Sequence, residues 1–250
     1  MKCKEVIYNL SILGHYNWHI HTNFSSCAKA EMNLSNILTV AKNAGLKKIA
    51  LVDHHHRRED NILMNLAKLK NELNNSSQGK LKVVLGAELS AFGIGKYSDS
   101  IETNRKIEYR LYACNHYHLK FWEHPTTKTP RAYAEHSLAI LTNLLSTQRA
   151  DCIAHPFLGK YLKDKLPNPT LVTKSITDNE LADILELGKN NDVAWELNPS
   201  LLSDPEFTKR YWNIGREVKV CFHLGTDAHQ LLKIDTKPFI NNLKLILGNS

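Results

Sequence analysis

The sequence predicts a single α/β domain spanning residues 1–250, built as a parallel barrel with seven visible strands and with its functional site at the carboxyl ends of the strands. Seven short apolar runs alternate with helical patterns, a length of 250 residues suits one barrel, and almost every run ends in His, Asp or Glu. An open sheet gathers ligands at one switch point, whereas a barrel brings all its strand ends together. We therefore expect a barrel.

The seven runs are rich in β-branched and aromatic residues, which is typical of buried strands. They span residues 16–21, 48–54, 81–88, 110–116, 151–155, 193–198 and 218–227. Helical patterns with their own start and stop signals separate them. Asn33 can cap a helix that Gly45 ends, and Thr177 with Glu180 forms the capping box of a helix predicted to end at Gly188.

The composition is that of an ordinary globular protein, with 42% hydrophobic and 23% charged residues. This balance excludes a disordered, collagen-like or coiled-coil chain. No apolar run approaches the roughly 18 residues of a membrane span, and the first residues lack the pattern of a secretory leader, so no membrane partner is expected. The formal net charge of +7 favours phosphate-bearing partners, among which is nucleic acid.

The five cysteines are an odd, scattered set without a C-x-x-C pair. This distribution argues against a disulfide framework and for reduced thiols, so the expected location is cytoplasmic.

Candidate metal ligands follow the first two predicted strands. His19 and His21 share one face of a strand by its period of two, so both imidazoles can reach one ion. Asp53 and His54 come directly after an apolar run. Each pattern alone is weak, since an HxH pair is common in cores and Asp53 could cap a helix.

The later strands end in the same way. Glu88 follows the buried run 83–87, where an unpaired carboxylate is costly unless it binds a cation or bridges two. His116 and His155 end the next two strands, and Asp227 and His229 repeat the two-residue spacing at the last. Such residues at six strand ends predict a metal centre.

The motifs HIHT at 19–22, LVDH at 51–54, GAE at 86–88, CNH at 114–116, AHP at 154–156 and GTDAH at 225–229 resemble those of the polymerase and histidinol phosphatase (PHP) metallophosphoesterases. The resemblance implies a distorted (β/α)7 barrel with a trinuclear centre. By this likeness, one ion is held by His19, His21, Glu88 and Asp227, a second by Glu88, His116 and His155, and a third by His54, His229 and Cys27.

Cys27 stands where many family members have His or Asp, so the chain resembles a subgroup with Cys after the HxH motif. A thiolate ligand favours zinc or iron over manganese or magnesium. The expected cofactors are two or three divalent transition-metal ions: zinc, manganese or iron. Two alternatives stay open: Cys27 can be a buried, inert thiol beside a third site that is weak or empty, and His118 can replace His116 by strand alternation.

The resemblance implies hydrolysis of a phosphate ester by water that loses a proton between the ions. Asp53, Glu88 and His229 are the candidate catalytic residues, with Asp53 as an acceptor that orients a ligand imidazole. Basic loop residues near the strand ends are candidates to bind the substrate phosphate. These residues are Arg57, Arg58 and Lys160.

Three other functions are weighed against this one. Amidohydrolases share a barrel with an early HxH, but they bridge their metals through a carboxylated Lys, and this chain offers Glu88 instead. A non-catalytic PHP scaffold would lack ligands that are present here. Among phosphoesterases, the net charge and the absence of a His-containing loop favour a nucleotide or nucleic-acid substrate over histidinol phosphate. Whether the chain has a protein partner stays open.

Overall fold

The computed structural model describes residues 6–57, 61–157 and 159–248. In these ranges the strands are β1 (Tyr16–Ile20), β2 (Lys48–His55), β3 (Lys82–Gly93), β4 (Lys96–Tyr97), β5 (Tyr109–Ala113), β6 (Cys152–Ala154), β7 (Ala194–Leu197) and β8 (Phe222–Leu224). The helices are α1 (Leu10–Leu13), α2 (Leu34–Asn43), α3 (Ile62–Asn74), α4 (Ile101–Asn104), α5 (Pro130–Leu145), α6 (Leu171–Lys174), α7 (Asp178–Asn190), α8 (Pro205–Glu217) and α9 (Lys237–Leu247).

Seven parallel strands form a nearly closed barrel in the order β1-β2-β3-β5-β6-β7-β8. This architecture confirms the predicted fold class. The residue after Asp227 closes the barrel against β1: the His21 backbone N–H donates to the Ala228 carbonyl at 3.0 Å, and the Ala228 N–H donates to the His19 carbonyl at 3.2 Å. Closure therefore brings the first and last predicted ligand pairs together.

Alternate residues of the central strands point into the barrel. Ala50 and Val52 of β2 and Val84 of β3 belong to one interior cluster with residues of β5, β6 and β7. His54 and Glu88 continue the same alternation and pair in register across β2 and β3. The interior faces of these strands thus end in ionisable residues. Gly86 allows the close approach of β5, because a Cβ there would lie 2.2 Å from the Tyr109 carbonyl oxygen.

The third strand extends beyond its predicted end at residue 88. It continues to Gly93 and turns back through Gly95, which has φ +70°, to pair antiparallel with β4. This hairpin projects past the strand ends and forms one wall of a cleft described below.

The helix signals are largely confirmed. The Asn33 side chain accepts a hydrogen bond from the first turn of α2, Gly45 has φ +76°, and the capping box of Thr177 and Glu180 is formed. Gly188, however, lies inside α7 and does not end it. A Cβ at Gly188 would lie 2.5 Å from the indole nitrogen of Trp195, so glycine is required there for helix–strand packing.

No helix in the described ranges is long and apolar enough to cross a membrane. Cys27, Cys114 and Cys152 are free thiols. Cys221 is disulfide-bonded, so the expectation that all five thiols are reduced is wrong for this residue.

Candidate metal centre

Ionisable side chains from six strand ends converge on the barrel axis in three overlapping groups. Within each group the potential ligand atoms lie within 4.8 Å of one another. The groups in the described chain are His19, His21, Glu88 and Asp227; Glu88, His116 and His155; and His21, His54 and His229. The first two groups are the expected ligand sets. The third contains His21 in the place that the resemblance gives to Cys27.

The first group brings four ligand atoms to one point. The Nε2 atoms of His19 and His21 are 2.9 Å apart, and each lies 3.3–3.4 Å from Asp227 Oδ1. Both also lie 3.4 Å from Glu88 Oε2. The lone pairs of these imidazole nitrogens and carboxylate oxygens repel one another at such short distances unless a cation lies between them. Mixed imidazole and carboxylate ligands suit zinc, manganese or iron.

Glu88 faces two groups with its two oxygens. Oε2 faces the first group and lies 2.9 Å from His54 Nδ1, whereas Oε1 lies 3.1 Å from His155 Nε2 and 3.7 Å from His116 Nε2. Burial by itself raises the pKa of Glu88, but His54 and His19 hold the pKa well below its usual range. One ionised carboxylate therefore faces both groups.

Glu88 Oε2 and His54 Nδ1 are buried, and neither has a hydrogen bond of acceptable geometry within the described residues. Their 2.9 Å separation is an ion-pair contact without that geometry. A buried carboxylate oxygen without a hydrogen bond is costly, and a bound cation removes that cost. This observation fits a metal ligand.

In His19 and His155, the ring nitrogen that faces away from the centre is hydrogen-bonded to an acceptor. Glu196 Oε1 lies 2.7 Å from His19 Nδ1, and Asn115 Oδ1 lies 2.9 Å from His155 Nδ1. A carboxylate and an amide oxygen only accept, so both Nδ1 atoms carry the proton. The Nε2 atoms of His19 and His155 are therefore left with lone pairs that point at the centre.

The rings of His21 and His229 also have an acceptor at Nδ1. The Ser25 hydroxyl donates to Asp53 Oδ1 at 2.6 Å, so its oxygen accepts from His21 Nδ1 at 3.1 Å. His229 Nδ1 donates to the Asp227 carbonyl oxygen at 2.9 Å. Acceptors that fix the tautomer of a ligand imidazole are a regular feature of metal sites. The residues present thus fit a group of divalent ions.

Asp53 acts one step away from the ligands. Its carboxylate accepts from the Thr22 backbone at 2.7 Å, from the Thr22 hydroxyl at 2.6 Å and from Ser25. It therefore holds the loop after β1 and reaches His21 only through Ser25. This placement agrees with an orienting role and not with metal ligation.

Cys27 lies beside the third group but outside its set of mutually close ligand atoms. The thiol is exposed, so the alternative of a buried thiol at this position is wrong. Burial raises its pKa, whereas hydrogen bonds with His229 and His54 lower the pKa to about 6. The two imidazoles are themselves close, with 3.4 Å between their Nε2 atoms.

His116 belongs to the centre, and His118 does not join any of the three groups. His116 is buried, whereas His118 is exposed and stacks on Tyr161 with ring centroids 4.6 Å apart. The interpretation that His116 is the ligand at this strand end is therefore favoured by the geometry.

Two of the candidate ligands, His155 and Asp227, have an unusual backbone conformation. His155 has φ +29° and Asp227 has φ +52°, values that favour glycine. Strained conformations of this kind concentrate at functional sites, where the surrounding structure holds them.

Glu196 was missed by the sequence reasoning. It is buried in β7, accepts from His19 through Oε1, and accepts from the His155 backbone N–H through Oε2 at 2.5 Å. One carboxylate thus positions ligands of two groups. Gly225 makes room for it, since a Cβ there would lie 2.1 Å from Glu196 Oε1. The available signal was an acidic residue within the apolar run 193–198.

Of the candidate phosphate-binding residues, Arg57 lies at the mouth of the centre. It is exposed, it lines the same cavity as His56, and its guanidinium lies 6.0 Å from the Phe121 ring centroid. Arg58 lies outside the described residues. Lys160 lies in a short 3₁₀ turn, Gly159–Leu162, and its side chain is outside the described part of the chain.

A parallel barrel with imidazole and carboxylate groups gathered at its strand ends is typical of a metal-dependent hydrolase. The chain belongs to the PHP domain family, whose model matches residues 17–200, and this makes it a metal-dependent phosphoesterase.

Solved structures show the same fold at low sequence identity. A histidinol phosphate phosphatase from Lactococcus lactis, solved with zinc, L-histidinol and phosphate, is 17% identical with a TM-score of 0.61, and the match covers 92% of this chain and 93% of that one. A Listeria monocytogenes protein assigned as a histidinol phosphatase is 12% identical with a TM-score of 0.61, over 88% of this chain and 97% of that one. No curated protein matches the chain.

Proposed function

We propose that this protein hydrolyses the phosphate monoester of a small molecule with two or three divalent ions held at the strand ends. The observation that carries the proposal is Glu88, whose two oxygens face two separate groups of ligands. Divalent ions held by these groups would supply Lewis-acid stabilisation of phosphoryl oxygens and a nucleophilic water near neutral pH.

The chain's own residues prepare the site for this chemistry. Three imidazoles are held in the tautomer that presents Nε2 to the centre: Glu196 holds His19, Asn115 holds His155 and Ser25 holds His21. Glu88 keeps adjacent ligand groups in a fixed relation. His229 is half-buried at the cavity mouth, and we propose that it contacts the ester during the reaction.

Arg57 is the described candidate that can hold non-bridging phosphate oxygens, because it is a cation next to the centre. Arg58 and Lys160 keep the same proposed role. Asp53 is proposed as a positioning residue that acts on His21 through Ser25.

The proposed metals are zinc, manganese or iron. The Lactococcus lactis structure contains zinc, which supports zinc for the imidazole-rich groups. We further propose that Cys27 completes the third site as a thiolate, which places the chain in a subgroup with Cys after the HxH motif. The contact of the thiol with His54 and His229 supports this role.

The proposed substrate is a small molecule, whereas the net charge of the sequence favoured a nucleotide or nucleic acid. The L. lactis relative contains a small alcohol and phosphate, and neither comparison supports a nucleotide or nucleic acid. We therefore propose a small monoester, with histidinol phosphate as one member of the class to test.

We also propose that one domain accounts for residues 1–250 and that the protein is cytoplasmic. The location rests on three free thiols, and the disulfide at Cys221 is the observation against it.

The test is phosphate release from p-nitrophenyl phosphate and histidinol phosphate after chelation and after addition of zinc or manganese. Activity should disappear on chelation and return with metal. Residues one step outside a metal site contribute up to about 100-fold to activity. Glu88 is a proposed ligand, so Glu88→Gln should lower activity by more than this. Glu108 is exposed, so Glu108→Gln is the matched control and should have wild-type activity. Activity that survives chelation, or that is equal in the two variants, contradicts the proposal.

A further inference from the structure

A cleft of about 820 Å³ opens beside the metal centre, between the β3–β4 hairpin and the loop before α5. We call it the aromatic cleft. Its lining includes His56, Arg57, Phe92, Tyr97, Phe121 and Arg149. None of these residues belongs to the three ligand groups.

The aromatic cleft adjoins the metal centre at His56, which lines the cleft and lies beside two of the candidate ligands. The His56 ring centroid lies 4.4 Å from that of His54 and 5.5 Å from that of His116. Ser90 fixes this ring through a 2.9 Å hydrogen bond to Nδ1. An ester with its phosphate at the centre can therefore extend its alcohol part into the cleft.

The walls of the cleft are flat rings. Phe92 and Phe121 are both half-buried and meet nearly at right angles, with centroids 5.5 Å apart and an interplanar angle of 82°. Tyr97 is held by a 2.6 Å hydrogen bond from its hydroxyl to Asn143, and Arg149 lies over its ring at 4.5 Å. Rings fixed in this way offer both a face and an edge to a planar ligand.

Most of the cationic charge in the cleft is already balanced. Arg149 pairs with Asp99 at 2.9 Å, and Lys96 lies 3.5 Å from Glu123. Arg57 lines the cleft together with His56, at the end next to the metal centre. The inner part of the cleft therefore recognises a ligand by its shape and rings more than by its charge.

A second cavity of about 760 Å³ lies on the other side of the centre, next to Cys27 and His229. Its described lining is mainly polar and aliphatic, with Phe239 as the aromatic member. This cavity offers no pair of rings to a planar group, so the aromatic cleft is the better fit for one.

We infer that the aromatic cleft binds the leaving group of the ester, and that this leaving group is a planar aromatic or heteroaromatic alcohol. The inference rests on the proposed phosphatase function and names the substrate class for the same site.

The test compares benzyl phosphate with cyclohexylmethyl phosphate, two esters of similar size and leaving-group basicity that differ in the ring. The wild-type protein should prefer the benzyl ester in kcat/KM by about two- to tenfold, the range expected for aromatic contacts. Phe121→Leu keeps an apolar side chain without the ring, and should bring the ratio close to one. Phe92→Leu should lower it in the same direction.

Leu232→Ala is the control, because this 84% exposed residue lines the second cavity. It should keep the wild-type ratio. If the wild-type protein hydrolyses the two esters with equal kcat/KM, the inference is overturned. It is also overturned if Leu232→Ala abolishes the preference for the benzyl ester while Phe121→Leu retains it.

A binding measurement separates this inference from the proposed function. Benzyl alcohol should give a saturation-transfer NMR signal with the metal-free protein, and Phe121→Leu should weaken it. If p-nitrophenyl phosphate and histidinol phosphate are not hydrolysed in the presence of metal but this signal depends on Phe121, the proposed function fails and the cleft assignment stands. A signal that Phe121→Leu leaves unchanged overturns the assignment.

Discussion

Glu196 accepts hydrogen bonds from two candidate metal ligands. Replacing Glu196 by Gln removes its negative charge and keeps the shape of the side chain. The wild-type carboxylate accepts from His19 Nδ1 at 2.7 Å and from the His155 backbone N–H at 2.5 Å. An amide has one accepting oxygen, so its NH₂ group must face one of these two donors. Either His19 or His155 then loses its acceptor, and the ligand set of one group is disturbed.

The expected size follows from these two contacts. Outer partners of metal-ligating imidazoles contribute about 10- to 100-fold to metal affinity. Glu196 serves two groups, so Glu196→Gln should weaken zinc binding towards the upper part of that range. The metal-free protein should also lose about 1–3 kcal/mol in its free energy of unfolding, because a buried donor is left without a partner.

The assay is a zinc titration of the metal-free protein against a competing chelator, together with urea unfolding of the same sample. Glu186→Gln, an exposed change on α7, is the matched control. Zinc affinity within twofold of wild type in Glu196→Gln would refute the reasoning, since it would mean that the contacts to His19 and His155 do not orient ligands.

Three further outcomes are expected. Cys27→Ala should lower the zinc content of the third site and Cys27→His should restore it, with bound zinc slowing alkylation of the wild-type thiol; equal alkylation rates with and without zinc would show that the thiol is not a ligand. Gly225→Ala should destabilise the protein by about 1–3 kcal/mol in urea unfolding, because its Cβ would lie 2.1 Å from Glu196 Oε1; a free energy of unfolding equal to wild type would contradict this. Arg110 binds both oxygens of buried Asp151 and, against the effect of burial, lowers the Asp151 pKa. The folded pKa is below the unfolded value of about 3.9, so this contribution is present above about pH 4 and is lost as pH falls through the folded pKa. Asp151→Asn should therefore flatten the pH dependence of unfolding below pH 4, and an unchanged slope would count against it.

The barrel and most of the centre could be predicted because their signals are local. A buried strand is visible as a short apolar run, and a ligand at its end follows directly in the sequence. The convergence of His19 with Asp227 then needs only the closure of a parallel barrel. The observed groups contain the eight expected His, Glu and Asp ligands.

The parts that could not be predicted depend on contacts between distant residues. Glu196 looks like any residue of a strand until β7 lies next to β8 and brings its carboxylate to His19, 177 positions away. Gly188 resembles a helix end because glycine commonly ends helices, whereas its packing against Trp195 of the next strand is a tertiary contact that no sequence signal shows. The extension of β3 into a hairpin likewise has no metal-ligand signal, although it forms a wall of the aromatic cleft.

The disagreement at Cys27 has a related cause. Spacing from His21 locates the residue near the third group, but it does not fix the direction of an exposed side chain in a loop. The thiol lies beside His54 and His229, while His21 completes the group of mutually close atoms.

The most direct test of the central claim, that Glu88 is shared between adjacent metal groups, is elemental analysis of the purified protein after metal supplementation. The wild-type chain should bind two or three transition-metal ions. Glu88→Ala should lose at least two of them, whereas His116→Ala, which removes a ligand from one group, should lose one. Less than one ion per wild-type chain, or the same loss in both variants, would contradict the account.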